Sequence, residues 1–304
     1  MVKKKKITKR DNLCAGCERE DCSYLRDLEL QGKGTIIDEE NLVTDPDEVS
    51  ALKVFYEINC LENYPCENNW VFIEEGSVYG WAGAVYGRGL EVKGRHLVSL
   101  SAGGTTILGV GALGIRDLGA LAGLPHLTSL VLCDSEVHDL RPLANLTCLR
   151  ELNLAHNEIK DLTGLEQLEN LNDLCLRGNS IIDLSPLTPL GKLEKLDLSF
   201  TTLVDLDPIA NLKSLRELIL EHTSISVLGR PITDLRPLAS LTNLITLDLH
   251  GHQATDFSPL TKLKHMKVLC LDGTYVNEID TSPLEHLTNL EHLSLPIHYC
   301  PVKD

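Results

Sequence analysis

The chain has 304 residues, 43% of them hydrophobic and only 4% aromatic, enough apolar side chain for a packed aliphatic core, so global disorder is excluded. Asp and Glu number 44 against 28 Lys and Arg, a formal charge of −16, and six of the bases fall in the first ten residues. An acidic body of this kind argues against duplex nucleic acid as the main ligand and suits a protein partner with a basic surface.

The N-terminal MVKKKKITKR runs into polar residues, with no apolar stretch of signal-peptide length behind it. No run of apolar residues is long enough for a membrane span. Both features predict a cytoplasmic protein, with the lysine run a solvated tail. Residues 1–44 are polar and carry Cys14, Cys17 and Cys22. Two thiolates at C-x-x-C spacing can grip one tetrahedral zinc and Cys22 can add a third ligand, so this segment is a candidate structural zinc site. Free or disulfide-forming thiols are the alternative.

Residues 45–96 begin with a helix signal. Asp45 is placed to cap it, Pro46 suits its first position, and Glu48 completes a capping box. Trp70 and Trp81 follow.

From residue 97 to 295 the sequence repeats. L-x-x-L-x-L begins at Leu127, Leu149, Leu171, Leu193 and Leu215, each 22 residues after the last, and again at Leu244. L-x-L has the period of a strand with one buried face. Each strand motif leads to an Asp-Leu pair such as Asp161-Leu162 or Asp183-Leu184, then to leucines at steps of three, the spacing of a 3₁₀ turn. The aspartate can cap that turn, and Pro142, Pro186, Pro208, Pro237 and Pro259 fall in its first residues. One such unit cannot bury its leucines alone, whereas stacked units can, so the fold class is an α/β solenoid of about nine parallel strands backed by tight turns. Two units are longer, with extra residues after Ile107 and Ile225 that should form loops at the same corner. Gly109, Gly111 and Gly114 in the first of these make a literal G-x-G-x-x-G, but outside a βαβ unit they read as loop glycines. Residues 296–304 form a tail.

These motifs resemble leucine-rich repeat proteins, in particular the 22-residue class of internalins and of phosphatase-1 regulatory leucine-rich proteins. The resemblance implies a horseshoe with a concave parallel sheet and an asparagine ladder at the corner eight residues after each repeat start. Asn157 and Asn179 match the ladder; Ser135, Thr201, Thr223, His252 and Thr274 stand in its other positions. The helix and the two tryptophans are similar to the N-terminal cap of bacterial and plant-type members, and would cover the open end of the leucine core.

The residues two, four, six and seven after each repeat start are expected to face outward from the strands. They include Glu151, Asn153, His156, Asp173, Arg177, Lys195, Asp197, Phe200, Glu217, Ile219, Glu221, His222, Asp248, His250 and Asp272. Acids dominate, and apolar groups stand among them, the composition of an interface with buried anchors and a charged rim. The histidines lie on different repeats, and no nucleophile–base set is visible. The function expected is non-catalytic recognition of a protein partner through this face. Alternatives are a regulatory or targeting subunit of an enzyme complex, and a cysteine-based metal or redox sensor scaffolded by the repeats.

Overall fold

The computed structural model describes residues 4–6, 36–38, 42–43, 45–58, 70–73, 77–80, 89–93, 96–101, 115–203, 205–221, 231–273 and 280–295. The chain divides into two compact units, Met1–Leu149 and Arg150–Asp304.

In the first unit, β1 (Lys4–Lys6) pairs antiparallel with β2 (Ile36–Asp38), so part of the lysine run is strand rather than tail. Strands β3 (Leu42–Val43), β4 (Trp70–Ile73) and β5 (Ser77–Gly80) make an antiparallel sheet with β5 in the middle. Trp70 opens β4, and Trp81 lies outside the described residues. Helix α1 (Pro46–Ile58) starts as expected: Asp45 Oδ1 accepts the backbone N–H of Asp47 at 3.0 Å and of Glu48 at 3.2 Å. Glu48, only 2% exposed, also accepts the Leu97 N–H at 2.9 Å through Oε2. A buried carboxylate thus fastens the helix to β7 (His96–Ser101). The helix also lies against the turn Gly119–Gly123, so closely that a Cβ on Gly123 would stand 2.7 Å from Ala51 Cβ. β7 pairs antiparallel with β6 (Gly89–Lys93) and parallel with β8 (Ser129–Val131), Leu100 opposite Leu130.

The second unit is the regular part. Its strands are β9 (Glu151–Asn153), β10 (Asp173–Cys175), β11 (Lys195–Asp197), β12 (Glu217–Ile219), β13 (Thr246–Asp248), β14 (Val268–Cys270) and β15 (His292–Ser294). All are parallel and in sequence order. Among the described residues, β7 and β8 with these seven give the nine repeat strands expected. The register places Leu152, Leu174, Leu196, Leu218, Leu247 and Leu269 in one inward row, none more than 2% exposed. Leu293, on the last strand, is 40% exposed.

Opposite the strands the chain returns through 3₁₀ turns, among them Ser185–Leu187, Asp207–Asn211 and Arg236–Ser240. The repeated aspartate enters each one in the same way. Asp161, Asp183, Asp205, Asp234, Asp256 and Asp280 each accept, through Oδ1, the N–H two residues on, at 2.8–2.9 Å. In five of these repeats, proline occupies the next position, where it sacrifices no hydrogen bond.

The corners are closed by side chains. Asn179 Nδ2 donates to Leu154 O and Leu176 O, both at 2.9 Å, while its Oδ1 accepts the Ile159 N–H at 3.0 Å. One amide therefore ties two successive repeats. At the long repeat an imidazole does the same work: His252 Nδ1 accepts the Ile232 N–H at 3.1 Å and Nε2 meets Leu220 O at 2.5 Å. That pair of contacts requires the neutral tautomer with the proton on Nε2. Thr201 manages only half, donating to Leu198 O at 2.7 Å. At the other end of the turns a second ladder runs unexpected from sequence: Ser214, Asn243 and Asn289 donate to Gly191 O, Lys213 O and Lys264 O at 2.6–2.9 Å.

Candidate partner-binding face

The strands present two outward positions each. The first, two residues after the repeat start, holds Glu151, Asp173, Lys195, Glu217, Thr246, Val268 and His292. The second holds Asn153, Cys175, Asp197, Ile219, Asp248, Cys270 and Ser294. All are exposed or half-buried, as expected.

The other two positions differ from expectation. Six residues after the start, Arg177, Glu221, His250 and Asp272 remain half-buried, but Ala155 and Ser199 are buried. Seven after the start the chain has left the strand for a left-handed corner: Asp134, His156 and Phe200 have φ of 50°, 55° and 56°, and Gly178, Gly251 and Gly273 have φ of 70°, 79° and 71°. His156 and Phe200 are thus corner residues, not strand residues. At Gly178 glycine is required: a Cβ would stand 2.5 Å from His156 Nδ1, because the histidine ring lies over it. His222 falls outside the described residues, as do both long corners at 102–114 and 222–230.

The second strand position carries a role that the outward pattern concealed. Asn153, Asp197 and Asp248 accept, through Oδ1, the N–H of Ala155, Ser199 and His250 at 2.8–3.0 Å. In these three repeats the short side chain ends the strand and turns it into the corner. Asn and Asp are good at this and poor in strands, which is the signal available in sequence.

The face is strongly acidic, and both of its bases are engaged. Lys195 lies between Asp173 at 4.0 Å and Glu217 at 3.9 Å. Arg177 reaches across the intervening repeat to Glu221, Nη1 to Oε2 3.1 Å, with its guanidinium carbon 4.2 Å from the centre of the Phe200 ring. Asp272 is bonded by the Ser294 hydroxyl. Burial raises the Asp173 carboxyl above its usual range, with Glu151, Glu217 and Asp197 adding repulsion and Lys195 opposing. Burial likewise raises Asp248, against the His250 N–H that favours its charged form. The thiol of Cys175 is pushed up to about 11, chiefly by burial, and that of Cys270 is raised for the same reason. These two thiols therefore stay protonated at neutral pH, which suits packing rather than thiolate chemistry.

Cys14, Cys17 and Cys22 lie outside the described residues. Among the described residues no three His, Cys, Asp or Glu side chains are grouped to hold a metal ion, and no helix is long and apolar enough to cross a membrane.

The model of a family described as leucine-rich repeats (2 copies) matches residues 147–189. No curated protein matches the chain by sequence. Among solved structures, an internalin (inlF) from Listeria monocytogenes is 27% identical, with a TM-score of 0.56 over 68% of this chain. The chain spans 54% of that internalin's length. An internalin C2 (inlC2) from the same organism is 31% identical with a TM-score of 0.58, covering 66% of this chain and 80% of its own. The repeated strand, corner and 3₁₀ turn of the second unit, together with this likeness, show that the chain belongs to the leucine-rich repeat family and folds as its solenoid.

Proposed function

We propose that the second unit is a non-catalytic recognition module whose strand face binds a protein partner with a basic surface. The observation that carries this reading is the charge of that face. Glu151, Asp173, Asp197, Glu217, Glu221, Asp248 and Asp272 share it, its two bases already lie against acids of the same face, and burial makes charge costly at Asp173 and Asp248. Carboxylates packed against one another repel, and a partner's cations relieve that repulsion while steering association. Ile219 and Val268 supply half-buried apolar surface between them. Leucine-rich repeats are a common scaffold for protein–protein contacts, which favours the same reading, as an analogy of fold.

The test is affinity capture from the source organism with three baits. Wild type should retain a stoichiometric basic protein, Glu151→Lys/Glu217→Lys should lose it, and Glu169→Lys/Glu285→Lys, on exposed sites of the turn side, should keep it. Retention by the strand-face variant with loss by the turn-side variant would place the partner elsewhere and overturn the reading.

A further inference from the structure

We propose that the Phe200 ring and the Glu221 carboxylate form a seat for a guanidinium group of the protein partner, filled in the unbound protein by Arg177. This rests on the reading that the strand face binds a basic protein, and names the side chain it reads.

The geometry of the seat is already on display. Arg177 spans two repeats to place Nη1 3.1 Å from Glu221 Oε2, and its guanidinium lies over the Phe200 ring at 4.2 Å. A planar cation held between an aromatic face and a carboxylate is an arrangement that arginine fills better than lysine, since the guanidinium stacks and forks while the ammonium does neither.

Two features of the site point past a purely internal role. Phe200 sits at φ 56°, in the corner position where three other repeats have glycine. An L-residue pays for that conformation and glycine does not, so the ring is kept at a cost to the backbone. Beneath the Arg177–Glu221 bridge, at the matching position of the intervening repeat, stands Ser199, fully buried, with its Oγ making no hydrogen bond. A small residue there clears the path between Arg177 and Glu221, and its hydroxyl is a polar atom still without a partner.

Arg177 is a replaceable occupant. Its side chain and that of Glu221 are 31% and 30% exposed, and an ion pair about one-third exposed with one cation–π contact holds only a few-fold preference. A partner arginine arriving from solvent meets the same ring and carboxylate, and Arg177 can swing into water without disturbing the leucine core.

Isothermal titration with nona-arginine and nona-lysine peptides near physiological salt tests this. Wild type should favour the arginine peptide by less than about two-fold, since its guanidinium must displace that of Arg177. Arg177→Gln vacates the seat and should widen the ratio to about two- to five-fold, that expected of one exposed cation–π contact. Lys195→Gln removes the same charge from the same face, away from the ring, and should strengthen both peptides equally. Phe200→Gly suits the left-handed backbone, keeps the fold, and should bring the ratio to one. Thermal melts check that each variant is folded. The seat is overturned if Arg177→Gln strengthens both peptides equally, or if the preference survives Phe200→Gly. Equal binding of both peptides by Arg177→Gln, with wild-type binding weakened in Glu151→Lys/Glu217→Lys, would remove the seat and leave the acidic face standing. Binding of neither peptide would also remove the seat, while the capture experiment decides the broader reading on its own.

Discussion

Carboxylates line both sides of the second unit, and the same hydrogen bond has opposite results at Asp183 and Asp248. On the turn side, Asp183, Asp234, Asp256 and Asp280 each accept the N–H two residues on, and each carboxyl is held below its usual range. Asp234 falls to about 2, chiefly through the Arg236 side chain. For Asp183 the Ser185 N–H is the main cause, and for Asp256 and Asp280 it is the hydroxyl of the following serine. On the strand side Asp248 accepts the His250 N–H in the same fashion at 2.8 Å, yet burial outweighs that bond and its carboxyl rises. The difference lies in the surroundings: the turn row faces water, while Asp173 and Asp248 sit half-buried among other acids. Asp183, Asp234, Asp256 and Asp280 therefore stabilise the fold with their charge, whereas Asp173 and Asp248 carry theirs at a cost to the fold. A cost of that kind is what a binding surface bears.

The core that both rows decorate should dominate any stability measurement. Leu176→Ala, at a fully buried position, should cost ~2–5 kcal/mol by denaturant unfolding. A smaller loss than that of Asp183→Ala would mean that the inward register is misassigned. His252→Leu comes next. It strands the Ile232 N–H and the Leu220 carbonyl in a corner where the histidine is 4% exposed, at about 1–3 kcal/mol. His252→Asn should recover most of the loss, since an amide offers the same acceptor and donor, as Asn179 shows. If asparagine is as damaging as leucine, the imidazole is not a ladder residue.

The strand and turn elements were legible in the sequence because they rest on spacing. Leu152 or Leu174 could be placed inward from L-x-L, and the aspartate before each turn from its fixed distance to the leucines. What spacing could not convey was where the strand stops. The strands are three residues long, so alternation does not extend to His156 and Phe200, and a backbone sign change decides their direction instead. Burial of Ala155 and Ser199 follows from the same corner. The corner role of His252 was foreshadowed by its position eight residues after Leu244, but nothing local says that an imidazole can replace the amide; that depends on Ile232 arriving from across the long insertion. The Arg177–Phe200–Glu221 contact joins residues from three successive repeats and has no local signature at all.

Removing one carboxylate from each row separates their roles. Asp183→Ala deletes the acceptor for the Ser185 N–H and should lower the unfolding midpoint, by less than Leu176→Ala does. Asp248→Asn keeps an acceptor for the His250 N–H and discards the charge that burial penalises, so the midpoint should hold or rise. A drop in Asp248→Asn matching that of Asp183→Ala would mean that the Asp248 charge stabilises the fold after all.

The smallest effect is the most diagnostic, and it appears with pH. For Asp183, Asp234, Asp256 and Asp280 the folded carboxyls titrate below their unfolded value near 4, so their contribution to stability is complete above about pH 4 and is lost as pH falls through the lowered values, to about 2 for Asp234. For Asp173 and Asp248 the sign reverses. Their folded pKa values lie above the unfolded one, so they detract from stability at neutral pH, and the deficit disappears as pH falls through the raised values. Above about pH 4, then, acidification discharges Asp173 and Asp248 while Asp183, Asp234, Asp256 and Asp280 stay ionised. Affinity for nona-lysine, which remains fully charged throughout, should weaken by a few-fold over this range as Asp173 and Asp248 lose their charge. The measurement compares wild type with Asp173→Asn/Asp248→Asn. The double variant should bind more weakly at neutral pH and converge on wild type as the pH approaches 4. Parallel curves, with a constant gap between the two proteins over the whole range, would show that these two carboxylates titrate no higher than those of the turn row.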